Sequence, residues 1–292
     1  MRTLKKCFRC FTAEPKITER KNWEDKYYLA KVSQTCFITA LVPFAERKII
    51  KMKLLIIRHG DPDYSVDSLT EKGRKEAELL KNRLKKLDIN DFYCSPLGRA
   101  RATAEPTLNA FSKEAEICDW LEEFSGYIID PKTGEKRIPW DLLPDCWTKE
   151  PRFFDKDKWL DTPLMSSGNV KEKYAAAVDG IDGLLKKYGY VREGNIYRVE
   201  RESRDTVALF CHFGVECVLL SHILNISPVQ LWHGFVALTS SVTTLITEER
   251  EQGKAYFRCC GFGDISHLYA ADEPPSFQAR FCETYSNFDE QH

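Results

Sequence analysis

The sequence has no excess of either charge and no apolar run long enough to cross a bilayer. Its 292 residues include 43 Lys and Arg against 44 Asp and Glu, so the formal net charge is −1. Nucleic-acid-binding domains usually carry a strongly basic field, and a membrane helix needs about 20 consecutive apolar residues. We therefore expect no nucleic acid and no membrane among the partners. A hydrophobic share of 43% nonetheless suffices for a large core and excludes a mainly disordered chain.

The sequence also lacks the cysteine pattern of a secreted, disulfide-linked protein. It has 11 cysteines, an odd number in a long chain, whereas disulfide frameworks favour even numbers in short chains. We expect reduced thiols and a cytoplasmic location. Cys7 and Cys10 have the spacing of half a zinc site, but no second pair follows, and Cys259 and Cys260 are adjacent. We therefore expect no metal.

Residues 1–51 differ in kind from the remainder. Residues 1–53 hold 13 Lys and Arg against 5 Asp and Glu, whereas residues 54–292 hold 30 against 39. Residues 1–51 show no clear helical or strand period, and the apolar segment 36–45 begins too late for a typical signal peptide. We predict that residues 1–51 are a basic N-terminal appendage, either disordered or not native to the protein. Residues 52–292 are predicted to form the main domain.

From Met52 onward, buried strands alternate with helices. Short apolar runs or β-rich segments predict strands at 53–57, 91–94, 206–211, 241–247 and 255–260. Helices are predicted after Thr70, from Leu97 with a kink or restart at Pro106, from 170 to 188, and from Val215 to Leu224. This alternation predicts an α/β fold, a three-layer sandwich around a mostly parallel central sheet.

Residues 124–168 interrupt that alternation. They are rich in Pro, Gly and Asp, which predicts an insertion with little regular structure. The insertion also contains five large aromatic residues, Trp140, Trp147, Phe153, Phe154 and Trp159. Long irregular segments in compact domains are usually functional or disordered, and this aromatic content argues against disorder. The insertion is either a packed flap over the sheet or a lid whose aromatic side chains close over a substrate.

Two histidines occupy equivalent places in the predicted fold. His59 and His212 each follow a buried strand directly, and ligands of open α/β sheets bind outside the carboxyl ends of the strands. Arg58 adjoins the first histidine, and Arg99 lies near the start of a helix, where backbone N–H groups also favour anions. Arginine presents a fork of donors that matches phosphate oxygens, and neutral histidine is a competent nucleophile.

The segments LLIIRHG (54–60), LTEKGRKEA (69–77), SPLGRARATA (95–104) and ALFCHFGV (208–215) together resemble the histidine phosphatase superfamily, also called phosphoglycerate mutase-like. Segments 137–147 and 263–274 are similar to poorly characterised bacterial phosphatases of that superfamily. The resemblance begins at about Met52, continues into the C-terminal region and keeps the family order. It implies a phosphomonoester hydrolase that acts on a small phosphorylated substrate and needs no cofactor.

The resemblance also implies a role for each matching residue. His59 would be the phosphorylated nucleophile, Arg58 and Arg99 would clamp phosphate oxygens, and His212 would stabilise the transferring phosphoryl group. The proton donor of the family often lies in an L-x-E stretch, which corresponds to Leu121-Glu122-Glu123. Glu123 is the better match to that pattern, although the spacing to Gly126 favours Glu122.

Departures from the family pattern concern substrate choice. Mutases of the family usually have serine and asparagine after Arg-His-Gly, whereas this chain has Asp61 and Asp63, which disfavour a second anionic group. Phe213 stands where glycine is common and either shapes the pocket or packs in the core. His267 follows the last predicted strand, where a C-terminal loop could return to the pocket. A phosphoglycerate-type mutase and a non-catalytic phospho-ligand binder remain the alternatives; the substrate and the oligomeric state stay open.

Overall fold

The structure is a computed structural model that describes residues 51–276, 283–284 and 286–291. The predicted appendage of residues 1–51 therefore lies outside the described residues, except for Lys51. In the described part, no helix is both long enough and apolar enough to cross a membrane.

The described residues form helices and strands with the following bounds. The helices are α1 (Glu71–Leu84), α2 (Gly98–Phe111), α3 (Pro144–Trp147), α4 (Val170–Lys187), α5 (Phe213–Leu224), α6 (Pro228–Gly234) and α7 (Ser266–Tyr269). The strands are β1 (Lys53–Arg58), β2 (Pro62–Asp63), β3 (Ser68–Leu69), β4 (Asp91–Cys94), β5 (Glu116–Ile117), β6 (Ile128–Ile129), β7 (Lys136–Arg137), β8 (Tyr190–Glu193), β9 (Ile196–Val199), β10 (Thr206–Cys211), β11 (Val242–Glu251), β12 (Lys254–Asp264), β13 (Glu283–Thr284) and β14 (Asn287–Gln291).

Eight strands form one central sheet in the order β5-β4-β10-β1-β11-β12-β9-β8. β5, β4, β10 and β1 pair in parallel, whereas β11, β12, β9 and β8 continue the sheet with antiparallel pairing. The predicted α/β fold is thus confirmed, with a sheet that is mixed and parallel in one half. The antiparallel half includes a hairpin of β8 and β9 that the sequence analysis missed, because its strands are short and partly polar.

The sheet separates two hydrophobic cores, which makes the architecture three-layered. Alternate residues of a strand point to opposite faces. On β1, Leu54 and Ile56 join the core that includes α4, α5 and α6, whereas Leu55 and Ile57 join the core under α1 and α2. Burial on both faces explains why β1 and β10 read as continuous apolar runs rather than as alternating patterns.

The helices on the α1–α2 face follow local sequence signals, with one exception. Thr70 caps α1 as predicted, since its Oγ1 accepts a hydrogen bond from Gly73 N at 3.0 Å. α2 continues through Pro106 without the restart that this residue suggested. Proline removes one helical hydrogen bond, and the burial of Ala104 and Thr107 on either side of it favours the continuous helix.

Two features of this fold define the site. The first is the carboxyl edge of the parallel strands, where β1, β10 and β4 end side by side. The second is the insertion of residues 124–168, which forms the β6–β7 hairpin, α3 and three 3-10 turns and so has little regular structure, as predicted. The large aromatic residues of the insertion differ in burial. Phe153 and Trp159 are buried in the core that includes α4, α5 and α6, whereas Trp140 and Trp147 are partly buried against that core.

Candidate active site

His59 and His212 lie side by side because they follow neighbouring parallel strands. The register pairs Arg58 with Cys211, the last residues of β1 and β10, and His59 N donates to the Cys211 carbonyl at 3.0 Å. The two imidazole centroids are 5.0 Å apart, and both side chains are almost fully buried. The predicted pairing of the two histidines at the sheet edge is therefore present.

The surroundings of His59 fix its protonation state. Its Nδ1 lies 2.7 Å from the carbonyl oxygen of Gly60. A carbonyl can only accept a hydrogen bond, so Nδ1 carries the proton and Nε2 holds a free electron pair. Burial, reinforced by the positive charge of Arg58, lowers the pKa of His59 to about 3. The imidazole is neutral at physiological pH, with Nε2 in the form that a nucleophile requires.

His212 is held by Ser95 at the end of β4. The two side chains are joined by a 2.8 Å hydrogen bond between His212 Nε2 and Ser95 Oγ. Burial lowers the pKa of His212 well below its usual range, and the charges of Arg99 and Arg58 act in the same direction. Ser95, the first residue of the motif SPLGRARATA, directly follows the predicted strand at 91–94, and its hydroxyl group orients the second histidine.

Arg58 points into the protein rather than into solvent. Its Nη1 donates to the Ala237 carbonyl, and its guanidinium carbon lies 5.6 Å from the ring centroid of Phe213. Phe213 is itself 1% exposed and packs edge-on against Trp140, with ring centroids 6.5 Å apart. Phe213 is thus packed in the core and contacts Arg58 at the same time. Its predicted effect on the shape of the pocket stays a prediction.

Arg99 is paired with an acidic residue that the sequence analysis did not single out. Its Nη1 lies 2.7 Å from Asp67 Oδ1, while Gly98 N donates to Asp67 Oδ2, also at 2.7 Å. The Tyr64 ring centroid lies 5.5 Å from the guanidinium carbon of Arg99. Asp67 thus occupies the amino end of α2. No local pattern marks it, because the two partners are 32 positions apart in the sequence.

Glu123 lies at the amino end of α5. Its Oε1 accepts hydrogen bonds from Phe124 N at 2.7 Å and from Val215 N at 3.2 Å. A Cβ atom on Gly214 would come within 2.6 Å of that oxygen, so the close approach requires glycine. Burial raises the pKa of Glu123, and the positive charge of Arg58 opposes that shift in part. Glu122 is half-buried and shows no comparable contact with α5.

Two further residues proposed from the sequence lie in supporting networks. The Asp61 carboxylate accepts hydrogen bonds from Thr70 Oγ1 at 2.6 Å and from Ser276 Oγ, so it ties the loop after β1 to later parts of the chain. His267 Nε2 is 3.0 Å from Ser240 Oγ, and Ser240 N donates to the His59 carbonyl at 3.0 Å. His267 is therefore connected to His59 through the hydrogen bonds of Ser240.

Another buried carboxyl group, that of Glu216, interacts electrostatically with Arg58 and Glu123. Glu216, in the first turn of α5, is fully buried, and burial raises its pKa to about 7 although the positive charge of Arg58 opposes that shift. It is the one acidic residue in the apolar segment FGVECVLL, a signal that could have drawn attention to it. Among the described residues, no group of three or more His, Cys, Asp or Glu side chains is arranged to hold a metal ion.

The comparison with protein families agrees with this geometry. The sequence model of the histidine phosphatase superfamily (branch 1) matches residues 54–257, a span that contains both histidines and both arginines of the site. The chain belongs to this superfamily. The resemblance inferred from the four motifs is thereby confirmed.

Similar proteins include phosphatases and a mutase. This histidine phosphatase family member is 26% identical over 232 residues to a Schizosaccharomyces pombe protein described as a probable phosphatase, with 74% of this chain and 95% of that protein covered. It is 39% identical over 70 residues to a 2,3-bisphosphoglycerate-dependent phosphoglycerate mutase from Thermoplasma acidophilum, of which only 35% is covered.

Solved structures confirm the fold of the family. A mycobacterial glucosyl-3-phosphoglycerate phosphatase has a TM-score of 0.51 and 18% sequence identity, with 73% of this chain and 99% of that chain covered. A structure described as mycobacterial hydrolase 1 has the same TM-score and 17% identity, with 73% and 99% covered. At such identities the similarity concerns the architecture alone.

Proposed function

We propose that the protein is a phosphomonoester hydrolase that acts through a phosphohistidine intermediate. The observation that carries this proposal is the state of His59: a buried, neutral imidazole with an unprotonated Nε2, set beside a second histidine and two guanidinium groups. An imidazole in this state can attack phosphorus, and the surrounding arginines favour a phosphate dianion.

In the first step, the substrate phosphate binds between Arg58, Arg99 and His212. Nε2 of His59 forms a bond to phosphorus as the bond from phosphorus to the leaving oxygen breaks. The carboxylic acid of Glu123 gives its proton to the leaving oxygen, so that an alcohol departs. The raised pKa of Glu123 supports this role, because it keeps the acid protonated at a higher pH than an exposed glutamate.

In the second step, water hydrolyses the phosphohistidine. The Glu123 carboxylate takes a proton from the water, whose oxygen attacks phosphorus while the bond from phosphorus to Nε2 breaks. Inorganic phosphate leaves, His59 returns to its neutral form, and Glu123 is again protonated. The donors of Arg58, Arg99 and His212 stabilise the charge on the phosphoryl oxygens throughout, which is the kind of electrostatic stabilisation that contributes most in many enzymes.

The insertion of residues 124–168 is proposed to form a lid at the leaving-group side. Trp140 supports this role, because its indole Nε1 donates to the Phe124 carbonyl at 3.3 Å and so lies beside Glu123. Phe153 and Trp159 are core residues and take no part in it. We further propose a reducing, cytoplasmic location, which the free thiols of Cys94, Cys211 and other described cysteines support.

Phosphoenzyme trapping tests the proposal directly. Purified protein should release phosphate from p-nitrophenyl phosphate and, after rapid acid-free quenching, carry a label from a ³²P-phosphomonoester that is labile to acid and stable to alkali. His59→Asn should abolish both signals while its circular dichroism spectrum stays unchanged. His222→Asn serves as the matched control, because His222 pairs with Asp182 between α5 and α4, in a partly buried contact outside the proposed site. Label retained in His59→Asn would contradict the proposal.

A further inference from the structure

The loop between β2 and β3 holds one carboxylate against the proposed phosphate site. Asp67 has a left-handed backbone with φ of 45°, and both of its carboxylate oxygens are engaged, one by Arg99 and the other by Gly98 N. The loop packs so closely on α2 that a Cβ atom on Gly98 would lie 2.0 Å from the Asp67 carbonyl. The position of this negative charge is therefore fixed by the backbone and not only by a side-chain rotamer.

Once a phosphate dianion is bound, the charged groups around the histidine pair carry a net negative charge. Arg58 and Arg99 are the cations that shift the pKa values of His59, His212 and Glu123. A phosphomonoester dianion would neutralise both, and Asp67 adds a third negative charge beside Arg99. A second anionic group on the substrate would then approach a region of net negative charge, which costs free energy.

We propose that Asp67 is a specificity-determining residue that makes the site select phosphomonoesters whose alcohol portion carries no second anionic group. This inference rests on the proposed hydrolase function and names its substrate class. It also reassigns the expectation that Asp61 and Asp63 repel such groups. Asp61 is bonded to Thr70 and Ser276, and Asp63 accepts hydrogen bonds within its own turn from Ser65, whereas Asp67 contacts Arg99.

The test compares two substrates that differ by one charge. Glycerol 3-phosphate has a hydroxymethyl group at the position where 3-phosphoglycerate has a carboxylate, and the two compounds are otherwise alike. The ratio of their kcat/KM values is measured for the wild type, for Asp67→Asn, and for Asp63→Asn as the matched control from the end of β2, directly before the loop. Asparagine preserves the size of Asp67 and tolerates a left-handed backbone, and its single carbonyl oxygen can still accept from Gly98 N. Its NH2 group replaces the oxygen that accepts from Arg99, so the variant removes the negative charge together with this ion pair.

We expect the wild type to prefer glycerol 3-phosphate and Asp67→Asn to reduce that preference severalfold, because the variant removes a repulsion between two negative charges that the partial exposure of Asp67 weakens but does not abolish. Asp63→Asn should leave the ratio unchanged. A purely structural role for Asp67 would lower both kcat/KM values and leave their ratio constant, which would overturn the inference. An inactive wild type on both substrates and on p-nitrophenyl phosphate would instead overturn the proposed function.

Discussion

Replacing Glu123 with glutamine distinguishes its proposed role as a proton donor from its structural role as a hydrogen-bond acceptor. The glutamine Oε1 can still accept from Phe124 N and Val215 N, which lie 2.7 and 3.2 Å from the present oxygen. The substitution therefore removes the transferable proton and little else. Because burial raises the pKa of Glu123, the folded state loses stability as pH rises through that raised pKa, and Glu123→Gln should not be less stable than the wild type.

The expected loss depends on the leaving group. General acid catalysis contributes about 10²–10⁴-fold, or about 3–5 kcal/mol of transition-state free energy, when an alkoxide would otherwise depart. A nitrophenolate departs without a proton, so its release should fall much less. We expect Glu123→Gln to lower kcat/KM for glycerol 3-phosphate by at least about a hundredfold and for p-nitrophenyl phosphate by less than about tenfold.

The assay is steady-state phosphate release from both substrates between about pH 5 and pH 9, a range that lies above the ordinary pKa of glutamate and so follows the upward direction of the shift at Glu123. For the wild type acting on glycerol 3-phosphate, kcat/KM should fall as pH rises through the pKa of Glu123, and this limb should vanish in Glu123→Gln. Glu122→Gln, from the neighbouring position, is the control. Equal losses on the two substrates, or a selective loss in Glu122→Gln, would refute the assignment of Glu123 as the acid.

Three further predictions concern the same site. Arg99→Lys should lower kcat/KM by more than about tenfold, because an ammonium group that pairs with Asp67 lacks the further planar N–H donors with which a guanidinium group can bind the phosphate. Near wild-type activity would show that Arg99 does not bind the phosphate. His59 stays neutral down to a pKa of about 3, so the unfolded state binds more protons between that value and 6.5, and stability falls as pH falls through this window. Urea denaturation at several pH values gives the free energy of unfolding as a function of pH. In this window its slope against pH should be shallower for His59→Asn than for the wild type by up to about 1.4 kcal/mol per pH unit, and an unchanged slope would mean that His59 titrates normally. Trp140→Ala should change the ranking of substrates that differ in their alcohol portion more than it changes the rate on p-nitrophenyl phosphate, and a constant ranking would count against the lid.

The strands and the two catalytic candidates that follow them were accessible from the sequence. β1 and β10 are buried on both faces, so their apolar runs are continuous and their ends are easily recognised. Parallel strands align their carboxyl ends, which brings His59 and His212 together without any knowledge of distant contacts. Thr70 at the start of α1 is likewise a local signal, since its side chain bonds to a backbone only three residues away.

The sequence by itself determined the family, the α/β alternation and the approximate position of the site, because each of these depends on short-range patterns. Only the tertiary structure decided which acidic residue faces which arginine. Three acidic residues lie within seven positions of one another, yet their contacts differ. Asp61 accepts a hydrogen bond from Thr70, Asp63 accepts one from Ser65 within its own turn, and Asp67 pairs with Arg99. Their roles depend on the left-handed backbone of Asp67 and on the contact between this loop and helix α2, which begins about thirty positions later in the sequence. Contacts between residues so far apart in the sequence do not affect the local periodicity of hydrophobic residues.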